Sequence, residues 1–126
     1  MESGQQRSNL AKLSDSDLPL EENWQDIRGL EVYDITGEQI GSVEDLYIDR
    51  EAHQPRFLVV SAGGLLGVGK KQFLIPVEEV SRDVGEDQVT ITEPRDKVLN
   101  SPEFDPDTGV PDPDLQRAIK AYYGHR

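Results

Sequence analysis

From residue 31 onward, short apolar runs alternate with turn chemistry. EVYDI (31–35) is followed by Thr36, Gly37 and Glu38, and QIGSVEDLYID (39–49) by a polar stretch that ends at Pro55. RFLVVS (56–61) is followed by a glycine-rich stretch, and QFLIPV (72–77) by SRDVGED (81–87). QVTIT (88–92) closes the series, with Val89 and Ile91 set between polar neighbours. Apolar and β-branched runs of this length, bounded by Gly, Pro and Asp, read as strands. Five candidates therefore lie between residues 31 and 92.

The second candidate breaks its own period. Ile40, Leu46 and Ile48 keep even spacing, whereas Val43 falls on the opposite parity beside Gly41. A bulge or sharp coil near residues 41–43 returns all four side chains to one interior. Short, closely spaced strands with such a bend predict a mainly β fold, a small and highly bent antiparallel barrel, because closure removes exposed edges.

The pattern changes on both sides of this region. Residues 1–22 mix Ser, Asp, Gln and Glu with scattered leucines, too little apolar surface to offset chain entropy, and read as a flexible N-terminal arm. Order is expected to begin near Trp24, with the barrel over 23–100. Residues 94–99 suit one or two helical turns. Residues 101–126 read as an extended Pro/Asp-rich segment followed by a helix over about 112–123. Asp112 is placed to cap it, Pro113 suits its first turn, Leu115, Ala118, Ile119 and Tyr122 share one face, and Gly124 supplies the stop. That face needs a surface, and the chain's own barrel is the first choice, ahead of a second copy or another partner.

Composition narrows the function classes. Twenty-five acids against thirteen bases give a formal charge of -12, so neither a nucleic acid nor an anionic membrane surface gains by direct contact. No apolar window has the length of a spanning helix, so no membrane insertion is expected. The absence of cysteine rules out disulfides, thiolate catalysis and Cys-based metal sites. With no secretory signal pattern at the N-terminus, a soluble cytoplasmic protein is expected.

The sharpest catalytic-looking stretch is GGLLGVGKK (63–71). Gly64, Gly69 and Lys70 satisfy G-x-x-x-x-G-K, but Lys71 stands where a Ser or Thr would meet magnesium. A phosphate loop also needs its lysine to open a helix, and here a β pattern stopped by Pro76 comes next. The stretch reads as a hairpin connection, with Leu65, Leu66 and Val68 as contact points at its tip. Asp105, Asp107 and Gly109 resemble the start of a calcium loop, but the later ligands are missing, which leaves an Asx-type turn. His53 and His125 are isolated. The pairs Glu21/Glu22, Glu44/Asp45 and Glu78/Glu79 are sequence neighbours that point to different faces. No catalytic residue, cofactor or metal is expected.

Three segments carry a family resemblance: LEVYDITGEQIGSVEDLYID (30–49), FLVVSAGG (57–64) and FLIPV (73–77). Their telling features are Gly37, Ile40, Gly41, Val43 and Asp45, then Gly63 and Gly64, then Ile75 and Pro76. Over about residues 26–100 the chain resembles the PRC-barrel family, which is named for the cytoplasmic domain of the photosynthetic reaction-centre H subunit. Similar barrels form the C-terminal half of a ribosome maturation factor. The resemblance implies a small bent barrel that acts as a binding module and has no family-wide catalytic residue. Neither the membrane helix of the H subunit nor the RNA-processing domain of the maturation factor is expected here.

These readings converge on a non-enzymatic module for protein–protein contact, with self-association as one mode of it and the partner protein unnamed. The candidate contact residues are Leu65, Leu66 and Val68 on the glycine loop, and Leu115, Ile119 and Tyr122 on the C-terminal helix. The alternative is a ribosome-assembly or RNA-processing accessory factor acting through a ribosomal protein, since the bases are scattered among acids.

Overall fold

A computed structural model of the chain describes residues 10–15, 26–63, 70–81, 87–105, 107 and 109–124. Among these residues six strands form one mixed sheet. They are β1 (Leu10–Lys12), β2 (Glu31–Tyr33), β3 (Gln39–Asp49), β4 (Pro55–Gly63), β5 (Lys70–Pro76) and β6 (Gln88–Thr90), and two helices come after them, α1 (Arg95–Leu99) and α2 (Pro113–Tyr122). The sheet order is β5-β4-β3-β2-β6, with β1 paired to β3.

Strand β3 carries the bend that its parity break predicts. Val43 pairs with Val60 and Asp45 with Val59, so Glu44 is the extra residue of a bulge, one position beyond the expected site. Across it Ile40, Val43, Leu46 and Ile48 all enter one buried cluster. Gly41 has a separate, steric role. A Cβ there would lie 1.9 Å from the carbonyl oxygen of Ser61, so only glycine lets β3 cross β4 this closely.

The turns arise from side-chain acceptors. Between β2 and β3 the Asp34 carboxylate accepts the backbone N–H groups of Thr36 at 2.8 Å and Glu38 at 2.9 Å, while Gly37 takes a φ of 91°. Between β3 and β4 Asp49 accepts those of Glu51 at 2.8 Å and Ala52 at 2.9 Å. Each is a carboxylate bonding backbone two or more residues ahead, which fixes the reversal locally.

Two expectations are corrected. The ladders are not all antiparallel, because β6 pairs with β2 in parallel, Val32 opposite Val89. The reason is parity: in an up-and-down path of five strands, the first and fifth run the same way, so their pairing must be parallel. Nor is the sheet closed by ladders: among the described residues, the segments just after β5 and β6 meet at an isolated antiparallel bridge between Val80 and Ile91. The second correction concerns the arm. Residues 10–12 pair with Tyr47–Asp49 of β3, and Leu10, Ala11 and Leu13 are buried. The free edge of β3 beyond β2 offers backbone partners that composition does not reveal. Trp24 lies outside the described residues.

The sheet separates two buried clusters. Inside the bend, the residues of β3 pack with Leu58, Val60, Phe73, Ile75, Val89 and Ile91, and Val98 of α1 covers one end. On the opposite face Tyr47, Phe57, Val59 and Leu74 form a second cluster with Phe104 and with Ile119 and Tyr123 from the C-terminal helix region. Helix α2 has the expected signals: Asp112 accepts the Leu115 N–H at 2.8 Å, Pro113 opens the helix, and Gly124 beyond it has a φ of 87°.

Replacing Gly41 with Ala should destabilise the protein by about 3 kcal/mol, at the upper end for overpacking, since the obstructing atom is backbone. Ile119→Ala should cost about 2–5 kcal/mol through a cavity between α2 and the sheet. Urea denaturation of both variants checks the two values, and an unchanged midpoint for Gly41→Ala contradicts the close approach.

Candidate functional site

The glycine-rich stretch is bracketed by a regular ladder. Strands β4 and β5 pair antiparallel from Phe57 opposite Pro76 through to Gly63 opposite Lys70. Lys70 therefore begins a strand, whereas the lysine of a phosphate loop stands at a helix N-terminus. Lys71, which stands in the position of the magnesium-binding hydroxyl, forms an exposed ion pair with Glu103 at 3.3 Å. The contact candidates Leu65, Leu66 and Val68 lie outside the described residues.

The second set is placed fully. Ile119 is completely buried against the outer face of the sheet, and Leu115 and Tyr122 pack against the same cluster. The chain's own sheet thus covers the helix face, the first choice of the sequence reading. The Tyr122 hydroxyl also donates to the Lys97 carbonyl of α1 at 2.7 Å. A partner could reach Ile119 only by displacing α2.

The remaining sequence candidates resolve as turns and faces. The Asp105 carboxylate accepts the Asp107 N–H at 2.9 Å, an Asx turn, and the Gly109 carbonyl accepts the Tyr47 hydroxyl at 3.0 Å. Glu44 is exposed while Asp45 is buried, and Glu78 is exposed while Glu79 is buried, as neighbours on opposite faces should be. Glu21 and Glu22 lie outside the described residues. Among the described residues no group of three or more His, Cys, Asp or Glu is set to hold a metal ion. No helix among them is long and apolar enough to cross a membrane.

Buried polar groups are where chemistry would reside; Asp34, Asp45, Glu79 and Ser101 are bonded within the fold, while the buried Tyr123 hydroxyl has no hydrogen-bond partner among the described residues. Asp34 accepts the Thr36 hydroxyl at 2.6 Å and the Arg95 N–H of α1 at 2.8 Å, besides its two turn contacts, so it ties the β2–β3 turn to the start of α1. The Thr36 hydroxyl above all, then the backbone N–H groups, outweighs burial and holds this carboxyl down at about 2. Asp45 accepts the Leu46 N–H at 2.8 Å and both the N–H and the hydroxyl of Ser14, fastening the N-terminal segment beside the bulge. Ser101 donates to the Val98 carbonyl at 2.7 Å. Glu79 accepts the Thr92 hydroxyl at 3.0 Å across the Val80–Ile91 bridge. Sequence reasoning considered Glu79 only with Glu78, because the partner across the bridge is non-local.

A family model described as PRC-barrel domain matches residues 20–98. No curated protein matches the chain.

The depressed Asp34 carboxyl gives a signed pH dependence. Its contribution is fully present above the ordinary carboxylate value of about 4 and is lost as pH falls through about 2. Asp34→Asn keeps an acceptor for Thr36 and Glu38 but loses the charge and the acceptor for Arg95. The stability lead of the unaltered protein over this variant should shrink from pH ~4 to pH ~2. Urea midpoints across that range test it, and a constant lead contradicts the assignment.

Proposed function

The chain belongs to the PRC-barrel family, and on that premise we propose that it is a non-catalytic protein-binding module whose contact element is the loop at residues 63–71. PRC-barrel domains are generally non-catalytic and generally mediate protein interactions, so the family sets the class and the residues have to suggest the surface.

One observation carries the reading. Asp34, Asp45, Glu79 and Ser101 direct their hydrogen bonds to backbone or to neighbouring side chains of the same fold, so their polar capacity maintains turns and joints. An acid–base or nucleophilic site needs such groups to converge on a space that a substrate can enter. A binding module needs instead a stable frame with distinctive side chains on a connection. Two adjacent leucines and a valine between glycines, at the end of the long β4–β5 ladder, meet that requirement. The apolar face of α2 is already occupied by the sheet, which leaves the loop as the stronger candidate.

The test is a Leu65→Asp/Leu66→Asp variant of the full chain. Tagged protein captured from its native cells and cross-linked should retain at least one partner at the loop, and the variant should lose that partner at an unchanged thermal midpoint. Retention of every partner by the folded variant overturns the loop assignment. Light-scattering mass on the same two proteins tells whether the partner is a second copy.

A further inference from the structure

The outer cluster of the sheet is built from two parts of the chain. Tyr47, Phe57, Val59 and Leu74 belong to the stretch that matches the family, residues 20–98, and none is more than 1% exposed. What covers them comes from beyond that stretch: Phe104, Leu115, Ile119 and Tyr123 on the C-terminal side, with Leu10 on the N-terminal side. Without this cover the four side chains, on three neighbouring strands, would stand open to water as one apolar patch. The inner cluster does not depend on the C-terminal cover, since Phe104, Leu115, Ile119 and Tyr123 take no part in it.

The fit of α2 to this face is good along the helix and poor at its end. Ile119 is completely buried, the Lys120 ammonium lies 3.8 Å from the Glu78 carboxylate at the rim, and the Tyr122 hydroxyl donates to the Lys97 carbonyl at 2.7 Å. Tyr123 is 4% exposed, yet among the described residues its hydroxyl is the one buried side-chain polar atom with no hydrogen-bond partner. A phenol desolvated without a partner is less stable in such a place than a phenyl ring of the same shape. The chain's own tail is therefore not the best ligand for its own seat. The connection ahead of α2 is also open to solvent, with Asp105, Asp107, Gly109 and Val110 all exposed. A helix joined in this way can lift off while the ladders of the sheet stay intact.

We propose that the outer face of the sheet is a second docking surface, distinct from the loop at 63–71, held in cis by α2 and taken in trans by an amphipathic helix of a partner protein. The partner helix carries large apolar side chains at i, i+4 and i+8, the spacing of Leu115, Ile119 and Tyr123, with phenylalanine rather than tyrosine at the last. It carries a basic side chain next to the middle one, where Lys120 meets Glu78. The formal charge of -12 on the chain favours a basic helix of this kind. Because α2 is tethered, it competes at an effective concentration on the order of millimolar, so only a better-fitting helix displaces it. The unpaired phenol of Tyr123 supplies that margin, and α2 acts as an autoinhibitory cover.

The probe is a fluorescent peptide of residues 101–124, made in its own sequence and with Tyr123→Phe, and titrated by anisotropy with the full chain. A full chain carrying Ile119→Ala, which weakens the cover, should bind either peptide about tenfold more tightly than the unaltered chain. With both proteins the Tyr123→Phe peptide should bind several-fold more tightly than the peptide of unaltered sequence. Equal affinity of the two chains, equal affinity of the two peptides, or no binding to either chain overturns the proposal. Should Ile119→Ala fail to fold, the full-chain Tyr123→Phe variant decides: its α2 amides should gain several-fold protection in hydrogen exchange, and it should bind the peptides more weakly than the unaltered chain. Unchanged or lower protection of α2 in that variant overturns the proposal.

Discussion

Everything in this fold depends on how closely β3 can cross β4. The missing Cβ of Gly41 lets the two backbones meet at a separation no other residue would permit, and the extra residue at Glu44 then turns the strand. One continuous strand thereby lines the interior at Ile40, Val43, Leu46 and Ile48 and still presents Tyr47 to the opposite cluster. The two short strands that share its other edge, β1 and β2, occupy the segments on either side of the turn. A straight β3 would send Val43 to the wrong face and separate the places that β1 and β2 now fill.

The acidity of the chain is partly architectural. Asp26, Asp34, Asp45, Asp49, Asp105 and Asp112 each accept at least one backbone N–H, at turns, at the bulge and at the start of α2. A short carboxylate accepts such bonds better than any neutral side chain, because the acceptor is charged and local. Net charge argues against a polyanionic partner, yet it cannot reveal that part of the charge is committed to holding the backbone in its reversals.

How much the sequence discloses depends on how local each determinant is. Strands β2 to β6 are legible because apolar runs and turn residues lie side by side, and α2 because Asp112, Pro113 and Gly124 mark its ends. Even the bulge is legible, from the parity of Val43. Strand β1 is not: Leu10, Ala11 and Lys12 have no alternation, and their reason to be extended is an edge supplied by residues 47–49. The parallel β2–β6 contact and the Glu79–Thr92 contact are hidden for the same reason, since each depends on a register between distant segments. Amphipathic spacing tells that the face of α2 is covered; only the packing of Ile119 tells by which surface.

The parallel pairing of β2 with β6 also orders events in time. Strands β3, β4 and β5 are joined by short connections, so their ladders can form at small cost in loop-closure entropy. Val32 and Val89 come from opposite ends of that meander, and their contact returns free energy only after the intervening strands are in place. A segment released from a ribosome before residue 88 can complete the meander but not the β2–β6 pairing, and during that interval the free edge of β2 stands open to a neighbouring chain.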